Sequence, residues 1–180
     1  MLFLIFQLGG VRYAVEANRV AEVLPLLDIT PLPQAPKGVA GIFNLRGRAV
    51  PALDLSELTS GKPARERLTT RIIVINHLDA LGQSRPLGLI AESVTQMLRK
   101  DPGEFVSSGV KLGSASYLGP VLLEAPGPIH WLRAEHLVTE PIRQLLCSEA
   151  GPATPPQSGC LALGARADGL PLEEPKRIGL

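Results

Sequence analysis

Residues 38–55 read GVAGIFNLRGRAVPALDL. Two short apolar runs, Val39–Asn44 and Arg48–Leu55, flank the pair Arg46-Gly47. Runs of this length, punctuated by Gly and Pro, fit two strands joined by a tight turn better than a helix. An arginine on such a turn is held by its flanks, and its five fixed donors reach carboxylates or carbonyls. Two roles stay open for Arg46. It satisfies backbone carbonyls and fastens two parts of the fold, or reaches acidic or carbonyl groups on a partner, and the two roles are not exclusive.

The same grammar extends in both directions. Leu2–Leu8 and Val11–Glu16 flank Gly9-Gly10, a hairpin signal because both glycines tolerate positive φ. Ala17–Val20 reads as a short helix and Glu22–Asp28 as a strand. Thr30–Pro36 carries three prolines without N–H donors and is a loop. Ser56–Arg67 is polar and basic and reads as a mobile loop. Thr70–Asn76 is a β-branched run suited to burial on both faces. Leu87–Ala91 and Val94–Leu98 read as two further strands. Tyr117–Leu123 and Pro128–Leu132 read as a last hairpin turning at Ala125–Gly127. Ala134–Cys147 has helical spacing, with Leu137, Val138, Leu145 and Leu146 on one stripe and Pro141 obscuring the start. No internal repeat aligns. Residues 151–180 hold five Gly and five Pro without an apolar period, so 149–180 reads as a disordered tail. A weakly amphipathic patch at Cys160–Leu163 is its one docking candidate.

Composition excludes several functions. The chain has 180 residues, 45% of them apolar, and a net charge of +1, so nothing draws it globally to nucleic acid or anionic lipid. Between Lys37 and Arg71, seven basic residues face three acidic ones, a local +4. Only Phe43 offers a stacking surface there, so a solvated loop or an acidic protein partner fits better than nucleic acid. No run approaches the ~20 apolar residues of a membrane span, and MLFLIF lacks a basic leader. A cytoplasmic protein is expected, with Cys147 and Cys160 as free thiols.

Catalytic apparatus is missing as well. His77, His130 and His136 form no ligand motif with one another or with Cys147. There is no nucleophile elbow and no glycine-rich phosphate loop opening a helix. Asp54, Glu57 and Glu92 are isolated acids whose ordinary use is in turns. No cofactor or metal is expected.

Several stretches together resemble the CheW family of chemotaxis coupling proteins: FLIFQLGG (3–10) with RYAV (12–15), VAEV (20–23), PLPQAP (31–36), GVAGIFNLRG (38–47), VPALDL (50–55), LGLIAESV (87–94) and AEHLV (134–138). The Asn-Leu-Arg-Gly block in its proline-preceded context is the most specific, and the resemblance covers about residues 1–146. It implies a mainly β fold of two packed five-stranded SH3-like β-barrels with a short C-terminal helix. Residues 1–148 then form one domain of two intertwined subdomains.

The resemblance also implies a non-enzymatic adaptor. Its partners would be the cytoplasmic domain of a methyl-accepting chemoreceptor and a CheA-type histidine kinase, with contact to the membrane only through the receptor. It places Glu22 at the family's receptor-sensitive acid, and Val20 two residues earlier shares its expected strand face. A Glu22–Arg46 pair, with Asn44 and the apolar Val39, Ile42 and Phe43, makes up the expected contact surface, although core packing is the commoner fate of those three. Three departures, Glu92 for the family's Asp, the strand IHWLRA (129–134) and the extra Gly/Pro tail, point to a specialised surface-sensing or second-messenger pathway. The alternative is an SH3-like regulatory or ligand-binding module uncoupled from any chemoreceptor.

Overall fold

Leu2–Leu8 (β1) is apolar at almost every position because both of its faces are covered. Phe3 and Ile5 point into one apolar cluster, and Leu4, Phe6 and Leu8 into another. The computed structural model describes residues 1–78, 82–107 and 117–148. The expectations for the tail, for Cys160–Leu163 and for residues 113–116 lie outside them.

The chain turns at Gly9-Gly10 into Val11–Glu16 (β2), paired antiparallel with β1 from Phe3–Glu16 to Leu8–Val11. A 3-10 turn at Ala17–Arg19 leads into Val20–Pro25 (β3). Val39–Leu45 (β4) and Arg48–Asp54 (β5) form the hairpin anticipated around Arg46-Gly47. Arg71–Leu78 (β6), Ser84–Arg99 (β7), Leu118–Leu122 (β8) and Ile129–Leu132 (β9) follow. Helix among the described residues is limited to Leu55–Ser60 (α1), Glu140–Ser148 (α2) and three 3-10 turns. The fold is mainly β.

Hydrogen bonds join the strands in the order β3-β6-β7-β1-β2-β9-β8, with β4 on β5 and β5 also on β7. Strand β7 belongs to two groups. Its first half pairs with β6 and, in parallel, with β5. From Glu92 onward it pairs with β1. One group therefore runs β3-β6-β7-β5-β4 and the other β7-β1-β2-β9-β8. Both show the same succession of pairings: antiparallel, antiparallel, parallel, antiparallel. In each, the segment after the first strand also bridges the last one, Thr30 to Ile42 and Val106 to Val121.

Three apolar clusters match this plan. Phe43, Val50, Ala52, Ile72, Val74 and Ile90 fill the first group. Phe3, Ile5, Ala14, Phe105, Leu122 and Ile129 fill the second. The third cluster draws Leu4, Phe6 and Val15 from one group and Leu53, Ile73, Ile75 and Leu89 from the other. Alternation along a strand sends successive residues to different clusters, as with Ile72 and Ile73. That is why β1 and β6 read as unbroken apolar runs.

Four sequence expectations need correction. Ser56–Arg67 is not a free loop: its start is α1, N-capped by the Asp54 side chain accepting from Glu57 N at 3.0 Å. The two strands expected at 87–91 and 94–98 are one strand, carried through by Ser93 at φ 47. The helix expected over 134–147 is split into a 3-10 turn at Ala134–His136 and α2, because Pro141 suits only the first turn of a helix. Strand β3 begins at Val20 and ends at Pro25, two residues before its expected start and three before its expected end.

Candidate partner-binding surface

Arg46 and Gly47 form a two-residue hairpin loop with Leu45 paired to Arg48. Both loop residues have positive φ, 51 and 83, as the primed turn matched to strand twist requires. Gly47 N–H donates to Asn44 Oδ1 at 2.7 Å, which ties the tip back onto β4. Arg46 Nη2 then donates to Glu22 Oε2 at 2.8 Å. The arginine side chain is 78% exposed and the glutamate 24%. Its partner is a carboxylate on β3, within the same strand group.

The other expected residues separate by register. Between Val20 and Glu22 the pairing with β6 shifts by one residue, so Val20 lies opposite Ile75 and Glu22 opposite Val74. Opposed residues share a face, and Ile75 and Val74 belong to different clusters. Val20 and Glu22 therefore point to opposite sides, contrary to expectation, and Val20 packs on the shared core. A second shift between Val39 and Gly41 turns Val39 into that core while Phe43 enters the first group's interior. At 8% and 2% exposure, neither has side-chain surface to offer. Ile42 and Asn44 lie on the opposite, outward side of β4, partly and fully exposed. Glu22 and Arg46, with Asn44 bracing the hairpin tip, are what the fold gathers at the surface.

This surface rests on a braced frame. Thr30 and Ile42 exchange two backbone hydrogen bonds of 2.8 and 2.9 Å, so the proline-rich segment lies along β4. Asp54 Oδ2 accepts from Ala64 N at 2.7 Å, and Glu92 Oε1 accepts from Arg65 N at 3.0 Å and Ser56 Oγ at 3.3 Å. The acids suspected of being turn formers are therefore clamps on the segment after α1. Sequence reasoning missed the reach of Glu92; the Asp54-x-x-Glu57 spacing did hint at the cap. Ser93 also escaped notice, since a non-glycine residue in the left-handed region carries no sequence signal.

Among the described residues, no three His, Cys, Asp or Glu side chains are placed to hold a metal. His77 Nδ1 lies 3.0 Å from the Arg85 carbonyl, and the His130 ring packs on Tyr13 at 5.6 Å. No helix among the described residues is long and apolar enough to cross a membrane.

Comparison with known proteins agrees with this architecture. A CheW-like domain matches residues 2–141. The chain is 28% identical over 97 residues to a chemotaxis protein CheW of Helicobacter pylori, covering 54% of this chain and 56% of that one. It is 33% identical over 97 residues to protein FrzA of Myxococcus xanthus, covering 54% and 58%. It is 33% identical over 92 residues to protein PilI of Pseudomonas aeruginosa, covering 51% and 49%. The chain spans about half the length of the curated relatives it matches. In fold it is similar to the scaffolding protein TtCheW of Thermoanaerobacter tengcongensis, with a TM-score of 0.67 and 24% identity over 77% of this chain and 87% of that one. A match over residues 2–141, on a fold of the same kind, makes the chain a member of the CheW-like family.

Proposed function

We propose that this chain is a non-enzymatic adaptor coupling a methyl-accepting chemoreceptor to a CheA-type histidine kinase at membrane-associated receptor arrays in the cytoplasm. The observation that carries the reading is the exposed Glu22–Arg46 pair, on a hairpin tip braced by Asn44. Support comes also from family membership and from relatives named for chemotaxis. The two strand groups are read as two SH3-like barrels within one domain ending near residue 148. Their common pairing order, separate interior clusters and matching bridges support this. The pair presents a cation and an anion side by side to a receptor hairpin. The kinase takes a different face.

Glu92 has a local structural duty, as clamp on Ser56 and Arg65.

Charge exchange tests the reading. Arg46→Glu weakens binding to the receptor's cytoplasmic fragment by about tenfold or more, the scale of one charge-assisted contact, and leaves kinase binding unchanged. The double variant Glu22→Arg with Arg46→Glu recovers part of the loss. Strictly additive losses contradict a coupled pair, and wild-type protein binding neither partner contradicts the adaptor reading.

A further inference from the structure

Two arginines distant in sequence line one small cavity beside the start of β3. The cavity has a volume of about 210 Å³ and is lined by Arg19, Asn76, Glu135 and Arg143 over a floor that includes Ile75 and Val138. Arg19 ends the 3-10 turn that enters β3, Asn76 lies near the end of β6, and Arg143 is carried by α2. Ile75 is buried, so the floor is part of the packed core.

The guanidinium groups are only loosely engaged. Arg19 Nε lies 3.8 Å from Glu16 Oε2, and Arg143 Nε lies 3.9 Å from Glu140 Oε2. A charge-assisted hydrogen bond closes to roughly 2.7–2.9 Å, and Arg46 reaches 2.8 Å with Glu22. Both side chains are about half exposed, at 50% and 52%. Among the described residues, neither guanidinium donates a hydrogen bond, and neither does the Asn76 amide. The site thus offers two planar donor forks and an amide, which suit a tetrahedral or planar oxyanion. One carboxylate, Glu135, also faces the cavity. It repels a fully ionised ligand but accepts a hydrogen bond from a hydroxyl. With Glu16 and Glu140, Glu135 makes three carboxylates against two arginines, so directed hydrogen bonds rather than a net positive field must do the selecting.

We propose that this cavity binds a compact oxyanion of the phosphate class, held by Arg19, Arg143 and Asn76, with Glu135 accepting from its protonated oxygen. The group is either free phosphate or a phosphorylated side chain of a partner. This site does not depend on the adaptor reading.

The test is a nitrogen-15 NMR titration of the full chain with inorganic phosphate, holding ionic strength constant with chloride. Saturable shifts at the Asn76 side-chain amide and at Arg19 and Arg143 Nε support the site. Arg19→Gln and Arg143→Gln each weaken the response about tenfold, while Glu140→Gln tightens it by freeing Arg143. A phosphoserine peptide that moves the same signals at lower concentration supports the site and assigns the group to a partner; phosphate acting alone supports a free-anion site. Shifts that never saturate, or that persist in the Arg19→Gln, Arg143→Gln double variant, overturn the proposal. Both arginines are half exposed, and unchanged amide spectra confirm that the variants remain folded.

Discussion

Arg46 occupies a turn position, at φ 51, where Asn, Asp or Gly is favoured. A left-handed conformation disfavours a residue with a Cβ by roughly 1–2 kcal/mol, whereas its exposed pair with Glu22 returns at most about 1 kcal/mol after solvent screening. Stability alone therefore does not explain an arginine there. Arg46→Asn is expected to leave the unfolding free energy unchanged or to raise it, by up to about 1 kcal/mol, while receptor binding weakens. Urea denaturation beside a binding assay checks both halves; a clear loss of stability points instead to a fastening role. A second residue carries a pH signature. Asp101 N–H donates to Glu104 Oε1 at 2.9 Å, and Lys100 lies 3.4 Å from Oε2, so the Glu104 carboxyl is held below its ordinary value of 4.5, chiefly by that backbone bond. A folded-state pKa below the unfolded one adds stability that is present above about 4.5 and lost as pH falls through the lowered value. Any advantage of wild type over Glu104→Gln seen near neutral pH therefore shrinks on acidification through that window. An advantage that grows as pH falls contradicts the assignment. At this scale the sequence was informative about identity but not orientation. Glu22, Asn44 and Arg46 could be named from the motif, whereas the one-residue shifts that send Val20 and Val39 to the core depend on partner strands and leave no local mark.

Among the elements, α1 shows what the sequence concealed. A polar stretch rich in Ser, Thr, Lys and Arg resembles a loop, yet one buried carboxylate organises it. Asp54 accepts from Glu57 N and Ala64 N with its two oxygens. Asp54→Ala removes both bonds and is expected to destabilise the protein by about 2 kcal/mol. Asp54→Asn keeps one acceptor oxygen and loses less, and equal losses in denaturation count against the cap. Hairpins, by contrast, were legible, because Gly9-Gly10 and Arg46-Gly47 mark turns directly. Strand β7 was not, since Ser93 interrupts its apolar pattern and makes one strand look like two. Where β7 crosses the first group, Gly88 lies under the Phe43 ring; a Cβ there meets Phe43 Cε1 at 2.5 Å and Ile72 Cγ2 at 3.0 Å. Gly88→Ala is expected to destabilise by about 1–3 kcal/mol through overpacking. Phe43→Leu in the same background recovers part of that loss in a double-mutant cycle.

The whole molecule repeats itself without a sequence repeat. Taking the second group in the order β7, β8, β9, β1, β2 and the first as β3, β4, β5, β6, β7, both have the spatial order first, fourth, fifth, third, second. The N-terminal hairpin completes the group begun at the far end of the chain, and β7 serves both, so no aligned repeat could be read along the sequence. The shared core, with Phe6 and Leu89 fully buried in it, makes the groups interdependent. Leu89→Ala is expected to cost about 2–5 kcal/mol and to lower the single unfolding transition of both groups together. Separate transitions followed by Trp131, in the second group, and by amide signals of the first contradict that interdependence. The adaptor role requires two faces on this one frame to be used at once. Sedimentation velocity of the chain mixed with the receptor's cytoplasmic fragment and the kinase tests this most directly. The account predicts one species containing all three proteins, lost with Arg46→Glu while the complex of chain and kinase persists; receptor and kinase displacing each other from the chain would contradict it.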